Sequence, residues 1–462
     1  MRIRVHVVIE AEGDVPPAVR EVVELHRGNL GADTLGMQLA EAKELLARVQ
    51  EVVVDEQVRG CLATRVACPH CRRPRRHKDA RTIAVRTLFG TLRLQSPRWH
   101  HCPCLPREKK TFSPLAEVLP TRTTPELLWL EAKFAGLMSY GLSARLLGEL
   151  LPLGRCLHAT AVRRQVQATA QRLEEELGPE QAMFVDGCPR DWAELPRPDL
   201  PLTVGLDGGY VHACDQRSRR EGWFEVIAGK SIPAEGKAKL FGYVQTYDTK
   251  PKRRLFEVLK AQGMQANQQV TFLTDGGTDV REIPLYLNPQ AEHLIDWFHI
   301  TMRLTVMGQM AKGLDARVST EVSRQLERLK WFCWHGNVFR ALQVVGDLEI
   351  DLDVDDAAPG QFKLLKAASE FGRYLAANAA WIPNYGERYR FGEAISNAFV
   401  ESAVNQVVSK RMVKKQQMRW SPRGAHLLLQ IRTQVLNDDL ASTFRRWYPD
   451  FMPTSDGQAQ AA

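Results

Sequence analysis

The chain has 462 residues, 44% hydrophobic and 25% charged, with nine cysteines and a formal net charge of +8. These values exclude a low-complexity disordered chain and leave room for roughly two to four domains, while the basic balance favours a polyanionic partner. No run is apolar for long enough to span a bilayer, residues 1–10 (MRIRVHVVIE) lack the apolar core of a signal peptide, and the clustering of four cysteines predicts a reducing cytoplasmic setting rather than a disulfide framework.

Residues 3–9 alternate like a short strand. Residues 33–58 carry Leu35, Leu39, Ala42, Leu45, Leu46 and Val49 at helical spacing, which makes 1–60 a strand-and-helix region. The segment 61–112 is rich in Cys and Arg and poor in apolar periodicity. It holds Cys68-Pro-His-Cys71 and Cys102-Pro-Cys104, with a hairpin pattern from Thr87 to Leu94 between them. Thiolates at this spacing on turns suit a tetrahedral structural Zn²⁺. His70, His77, His100 and His101 are alternatives for one ligand. A redox pair is the other reading of the CxxC, although no βαβ pattern surrounds it. Arg65, Arg72, Arg73, Arg75, Arg76, Lys78 and Arg81 crowd the same segment and suit phosphate contacts or a solvated face.

Residues 120–180 read as three helices: Glu126 to Ala135, Ser143 to Leu151 capped by Ser143, and Thr160 to Leu177 capped by Thr160. A turn with Gly precedes the third. The pattern fits a helix-turn-helix or a plain helical bundle. In the first, Arg163, Arg164 and Gln165 lie in the opening turns of the recognition helix and face DNA. Pro189 to Pro201 reads as a linker.

Beyond it, Val204 to Ala213, Trp223 to Ser231, Lys239 to Tyr247, Gln269 to Thr274 and Ala291 to Ile295 read as strands, with a helix from Lys252 to Gln262. This order predicts an α/β core with a mixed sheet. Residues 301–380 read as helical, with an acidic break at Asp351 to Asp356. A last strong helix runs from Ala394 to Val413. The tail 453–462 is polar and is expected to be disordered.

Two strands end in the same way, Leu-Asp207-Gly-Gly and Thr-Asp275-Gly-Gly. Asp-Gly is a common turn dipeptide. Two copies that each close a buried strand point instead to carboxylates exposed at a sheet edge, where they can hold Mg²⁺ or Mn²⁺ for phosphodiester chemistry. Asp296 is the chief rival to Asp275 as second ligand, and Asp279 a lesser one suited to an N-cap. Glu401 shares a helix face with Asn397 and Asn405. The basic residues Lys410, Arg411, Lys414, Lys415, Arg419 and Arg423 follow it and suit backbone phosphates. Trp420 among them suits base stacking or core packing.

The stretches LTVGLDGGYVHA, GWFEVIAGKS, VTFLTDGGTDVR, HLIDWFHITMRL and NAFVESAVNQVVSKRMVKKQQMRWSPRGAHLLLQIR cover most of 200–440. They resemble DDE-type transposases of bacterial insertion sequences, of the ISKra type. The resemblance implies a multidomain α/β chain with a ribonuclease H-like (retroviral integrase-like) catalytic core at 198–300 and 385–445, interrupted by a helical insertion domain at 301–384. It implies Asp207, Asp275 and Glu401 as the catalytic, Mg²⁺-binding carboxylates. Related transposases carry a Cys- or Asp-x-x-His motif near the cleavage site, so Asp296 and His299 are expected as auxiliaries. It supports structural Zn²⁺ on Cys68, Cys71, Cys102 and Cys104, and a helix-turn-helix that binds terminal repeats. The partners implied are double-stranded DNA, as element ends and target, and a second copy of the chain. Two other readings stay open: an inactive or domesticated DNA-binding regulator, and a ribonuclease H-fold nuclease without strand transfer.

Overall fold

The computed structural model describes residues 1–10, 16–104, 110–153, 157–181, 188–195, 201–214, 222–277, 283–284, 287–288, 291–354, 358–413 and 418–453. The chain forms two compact units, Met1–Thr169 with Asp438–Ala462, and Ala170–Asn437. Among the described residues, no helix is long and apolar enough to cross a membrane.

In the first unit, the expected N-terminal strand β1 (Arg2–Ile9) has an antiparallel partner, β2 (Ala18–His26). Helix α1 (Leu39–Ala63) starts later than expected, where Gln38 and Glu41 form a capping box. Strands β3 (His77–Thr87) and β4 (Gly90–His100) form the expected hairpin, and β5 (Thr111–Phe112) adds a third strand. Val85, Leu92 and Leu94 bury against Leu115 of α2 (Pro114–Val118) and against Val54, Val58 and Leu62 of α1.

Helices α3 (Pro125–Leu137), α4 (Tyr140–Leu150) and α5 (Ala159–Glu176) follow. Two caps differ from expectation. Ser139, not Ser143, caps α4 by accepting from the Leu142 N–H at 3.2 Å. Ser143 is buried one turn inside and donates to the Ser139 carbonyl. At α5 the His158 Nδ1 accepts from the Ala161 N–H at 3.2 Å, and Thr160 lies within the helix.

The second unit begins at Ala170, within α5, and continues with α6 (Pro189–Ala193), inside the stretch expected to be a linker; residues 196–200 of that stretch lie outside the described residues. The mixed sheet is present. It comprises β6 (Leu202–His212), β7 (Trp223–Pro233), β8 (Lys239–Val244), β9 (Val270–Thr274) and β10 (Glu292–Ile295), in the order β10-β9-β6-β7-β8. β6, β7 and β8 form an antiparallel meander, and β9 and β10 run parallel to β6. Leu202, Val204 and Leu206 point to one face, where Leu255 and Leu259 of α7 (Pro251–Ala261) complete a dry core.

A helical segment follows β10: α8 (Trp297–Ala311), α9 (Ala316–Trp334), α10 (Val338–Leu352), α11 (Pro359–Ala377) and α12 (Tyr385–Arg390). It has its own apolar core, with Leu304, Leu329, Leu348 and Phe371 buried. The expected helix from Ala394 to Val413 is two pieces, α13 (Ala398–Val404) and a π-helical segment (Asn405–Val413). Helix α14 (Pro422–Leu436) then runs along the open edge of β8. Its His426 accepts from the Val244 N–H, Gln430 donates to the Gly242 carbonyl, and Asn437 bonds both backbone groups of Leu240. These side chains satisfy an edge that would otherwise pair with another chain. The core expected to extend to 445 ends at Asn437, because α15 (Leu440–Trp447) belongs with α3 in the first unit, where Trp129 meets Phe451 edge-to-face at 6.0 Å.

Candidate functional site

Sheet register explains which acids meet. β6 pairs with β9 up to Gly205–Leu273, and β9 with β10 up to Thr274–Ile295. Carried one or two residues further, the same offsets put Asp207, Asp275 and Asp296 in one row at the carboxyl edge of the parallel strands. Asp207, Asp275 and His299 offer ligand atoms that lie within 4.8 Å of one another.

Asp296 lies in the row but not in that group, and its oxygens are engaged in other bonds. It is fully buried. Oδ1 accepts from the Phe298 N–H at 2.9 Å, which caps α8, and from the Asn397 N–H at 3.0 Å. Oδ2 lies 3.0 Å from His299 Nδ1. A carboxylate used in this way orients a histidine and tethers the strand leading into α13. Of the two rivals, Asp275 is the one whose oxygen comes within 4.8 Å of both Asp207 and His299. Asp279 lies outside the described residues.

The group is electrostatically tense. Burial raises the Asp207 carboxyl above its ordinary value, with the neighbouring acids adding to the rise and the Gly208 N–H and His299 opposing it. The hydrogen bond that His299 donates to Asp296 raises the histidine above its ordinary value against the effect of burial, and the charges of Asp296, Asp207 and Asp275 add to it. Two acids this close are best neutralised by a cation, and carboxylate oxygens suit Mg²⁺ or Mn²⁺. Asp296 engages Nδ1 and leaves Nε2 as the ring atom available to a phosphate oxygen or a cation.

Glu401 is exposed on α13 and stands outside this group. Its helix nevertheless lies on Asp207's face of the sheet. A Cβ on Gly205 would come 2.0 Å from Val400 Cγ2, and one on Gly209 would come 3.1 Å from Val404 Cγ1. Asp207 alternates between these two glycines, as Glu401 falls between the two valines.

A second acidic group, Glu174, Asp248 and His426, also comes within 4.8 Å. It already contains its cation. Arg254 donates to Asp248 at 2.8 Å and to Glu174 at 2.9 Å. Although burial alone would raise it, hydrogen bonds from His426 and Arg254 hold the Glu174 carboxyl down at about 2. This network ties α5, α7 and α14 together.

In the first unit, Cys68, Cys71, Cys102 and Cys104 converge. The Cys68–Cys104 and Cys71–Cys102 sulfurs lie 3.5 and 3.4 Å apart. Arg72 takes a left-handed φ of 56° at the turn after Cys71, and Cys68 bonds across that turn to Arg73. The N–H groups of Cys71 and His70 hold the Cys68 thiol down to about 6, while Cys102 pushes Cys104 up to about 12. Four thiolates cannot share this space without a cation, and tetrahedral Zn²⁺ fits four sulfurs so arranged. His70, His77, His100 and His101 are not in the group.

The expected DNA contacts separate into two sets. Arg163, Arg164, Lys410, Arg419 and Arg423 are exposed, as are Arg72, Arg73, Arg76, Lys78 and Arg81. Gln165 instead points to Thr123, with its amide 3.4 Å from the hydroxyl. Arg411 is fully buried over the Trp420 ring, at 5.4 Å, and bonds Met418. It also lies near Arg432, whose ordinary value is lowered to about 10 by burial and by the Arg411 charge. Arg411 therefore leaves the basic strip, and buried Trp420 packs rather than stacks on a base. Lys414 and Lys415 lie outside the described residues.

Sequence reasoning missed Tyr374 and Asn378, which reach the strand end that carries Asp275 from the helical segment.

No protein-family model matches this chain, and no curated protein matches it. A solved structure described as the crystal structure of NurA is 12% identical, over 61% of this chain and 65% of that one, with a TM-score of 0.11. The chain thus spans less than two thirds of that structure's length, and a likeness this low carries no argument.

Proposed function

We propose that this chain is a DDE-type transposase of the insertion-sequence class, which binds element ends as double-stranded DNA, cuts them and joins them to target DNA. One observation carries the reading: Asp207 and Asp275 meet, with His299, at one edge of a mixed sheet. An antiparallel meander continued by two parallel strands is the strand pattern of a ribonuclease H-like core and supports that reading of the fold. The close passage of α13 over Gly205 and Gly209 supports Glu401 as the third carboxylate.

Mg²⁺ or Mn²⁺ on these carboxylates would supply activation of the attacking oxygen and stabilisation of the leaving oxygen. The side chains do the rest. Asp207 and Asp275 fix the site on the rigid sheet. Asp296 orients His299, whose imidazolium can hold a phosphate oxygen in line. Zn²⁺ on the four cysteines keeps the first unit's hairpin folded. Arg163 and Arg164 on α5 meet the terminal repeats, and Lys410 and Arg419 hold backbone phosphates. Two ends must be joined, so a dimer or larger assembly does the work.

The test is to incubate the protein with Mg²⁺ and the DNA flanking its own gene, beside Asp207→Ala. The proposal expects nicks at the element ends and joined products from the wild type, and neither from the variant. Equal nicking by Asp207→Ala overturns it. Cutting without joining transfers the assignment to a nuclease, the reading that Glu401's place outside the group would favour. Binding without cutting transfers it to a regulator.

A further inference from the structure

The helical segment between β10 and α13 touches the carboxylate pair through side chains. On α11, the Tyr374 hydroxyl donates to the backbone carbonyl of Asp275 at 3.0 Å. One turn on, buried Asn378 packs against the next residue, Gly276. A Cβ on Gly276 would come 2.7 Å from Asn378 Oδ1, and Gly276 takes a φ of +85° that a side chain would strain. Asn378 Nδ2 returns to the Tyr374 carbonyl at 2.8 Å, which locks the two residues together. At the neighbouring strand end, the buried Tyr385 hydroxyl donates to the Ile295 carbonyl at 2.8 Å.

The two strand ends need this help to different degrees. Asp296 is fixed by its own three bonds. Asp275 follows the last paired residue of β9, whose carbonyl accepts from the Asp296 N–H at 2.9 Å, and precedes a left-handed glycine, so strand pairing fixes the peptide before Asp275 but not the one after it. Its side chain accepts locally, from the Gly277 N–H at 2.9 Å. The peptide that follows Asp275 is held from two sides, by Thr274 Oγ1, which accepts from the Gly276 N–H at 3.2 Å, and by the Tyr374 hydroxyl, which donates to the Asp275 carbonyl and is the hold that comes from the helical segment. The Tyr374 ring is itself held, stacked on Phe371 with centroids 6.2 Å apart. It carries the Arg303 guanidinium 4.5 Å from its centroid, one turn along α8 from His299.

We infer that Tyr374 is a positioning residue for the metal centre, which makes the helical segment part of the site rather than a passive insertion. This rests on the reading of Asp207 and Asp275 as ligands of a divalent cation. Residues that orient ligands typically contribute about 10- to 100-fold to metal affinity.

The test is Mn²⁺ binding to the full-length protein, followed by calorimetry, for wild type, Asp207→Asn, Tyr374→Phe and Tyr385→Phe. Tyr374→Phe removes one oxygen and keeps the ring, so its thermal midpoint should stay near wild type. Its Mn²⁺ affinity at the site abolished by Asp207→Asn should fall about tenfold. The metal concentration for half-maximal cleavage should rise by the same factor, with the rate regained at saturating metal. Tyr385→Phe loses a matching bond beside an acid outside the group, and its Mn²⁺ affinity should not change. Unchanged affinity in Tyr374→Phe overturns the inference and leaves the metal reading standing. Equal weakening in both phenylalanine variants, tracking lost stability, also overturns it. A wild type with no Mn²⁺ site sensitive to Asp207→Asn overturns the metal reading itself.

Discussion

The cysteine cluster and the carboxylate group gather charge by opposite routes. Cys68, Cys71, Cys102 and Cys104 sit in two short turns that one hairpin brings together. Asp207, Asp275 and His299 come from two strands and a helix, and only strand order and register unite them. The first site is local and stabilises its own surroundings. The second borrows rigidity from a sheet, from Asp296 and from a helical segment far along the chain. A site of the first kind fails by unfolding. One of the second kind fails by losing aim while the fold persists.

The largest effect that could break this contrast is zinc removal. Chelation, or Cys71→Ser, should release the bound metal and open the β3–β4 hairpin to protease, since structural zinc contributes on the order of 10 kcal/mol to small folded segments. Asp207→Asn should leave the protease pattern unchanged. A Cys71→Ser protein as resistant as wild type would place the cysteines outside the fold's support.

Next is Gly205→Ala. Its Cβ would meet Val400 Cγ2 at 2.0 Å and the Phe399 ring at 3.0 Å, so α13 must lift off the sheet. The expected cost is roughly 3 kcal/mol in denaturant unfolding, at the upper end for overpacking. Cleavage should fall further than stability, because Glu401 moves with the helix. An unchanged unfolding midpoint would mean that α13 does not rest on β6.

A comparable or smaller effect concerns Glu131 on α3, a buried acid with no chemistry to perform. Among the described residues neither of its oxygens has a hydrogen-bond partner, and burial lifts its carboxyl from 4.5 to about 7. The folded state therefore holds this proton more tightly than the unfolded state. The stability this contributes is complete below about pH 4.5 and is lost as pH rises through 7, a change on the order of 3 kcal/mol. Thermal unfolding at pH 5 and pH 8 should show Glu131→Gln with a smaller drop than wild type. An equal drop would mean that Glu131 stays charged. Asp207 is also raised by burial, but it has a second acid and a histidine beside it, and this is what distinguishes a site from a strained core residue.

Much of this arrangement was legible in the sequence. Apolar runs and turn residues marked all five strands of the mixed sheet, and repeated Asp-Gly-Gly marked Asp207 and Asp275, although Asp207 lies inside β6, paired with Ala228, and not at a strand end as expected. CxxC and CxC spacing marked the cysteines. Features fixed by tertiary contact were not legible. The partner of β1 has no signal beyond alternation. Asp296-Trp-Phe-His299 read as an auxiliary motif with Asp296 a rival ligand, and tertiary contact alone shows that Asp296 caps a helix, holds the Asn397 N–H and engages His299. Arg411 looked like part of a basic strip, but the π-helical segment turns it inward. The grip of Tyr374 on Asp275 spans most of the helical segment, a separation that no local pattern records.

The most direct measurement is anomalous diffraction from crystals soaked in Mn²⁺. The account predicts a manganese peak about 2.1 Å from oxygens of both Asp207 and Asp275, absent in Asp207→Asn, together with a zinc-edge peak among the four cysteines. Manganese at Glu174, Asp248 and His426 instead, or no peak beside Asp207, would contradict it.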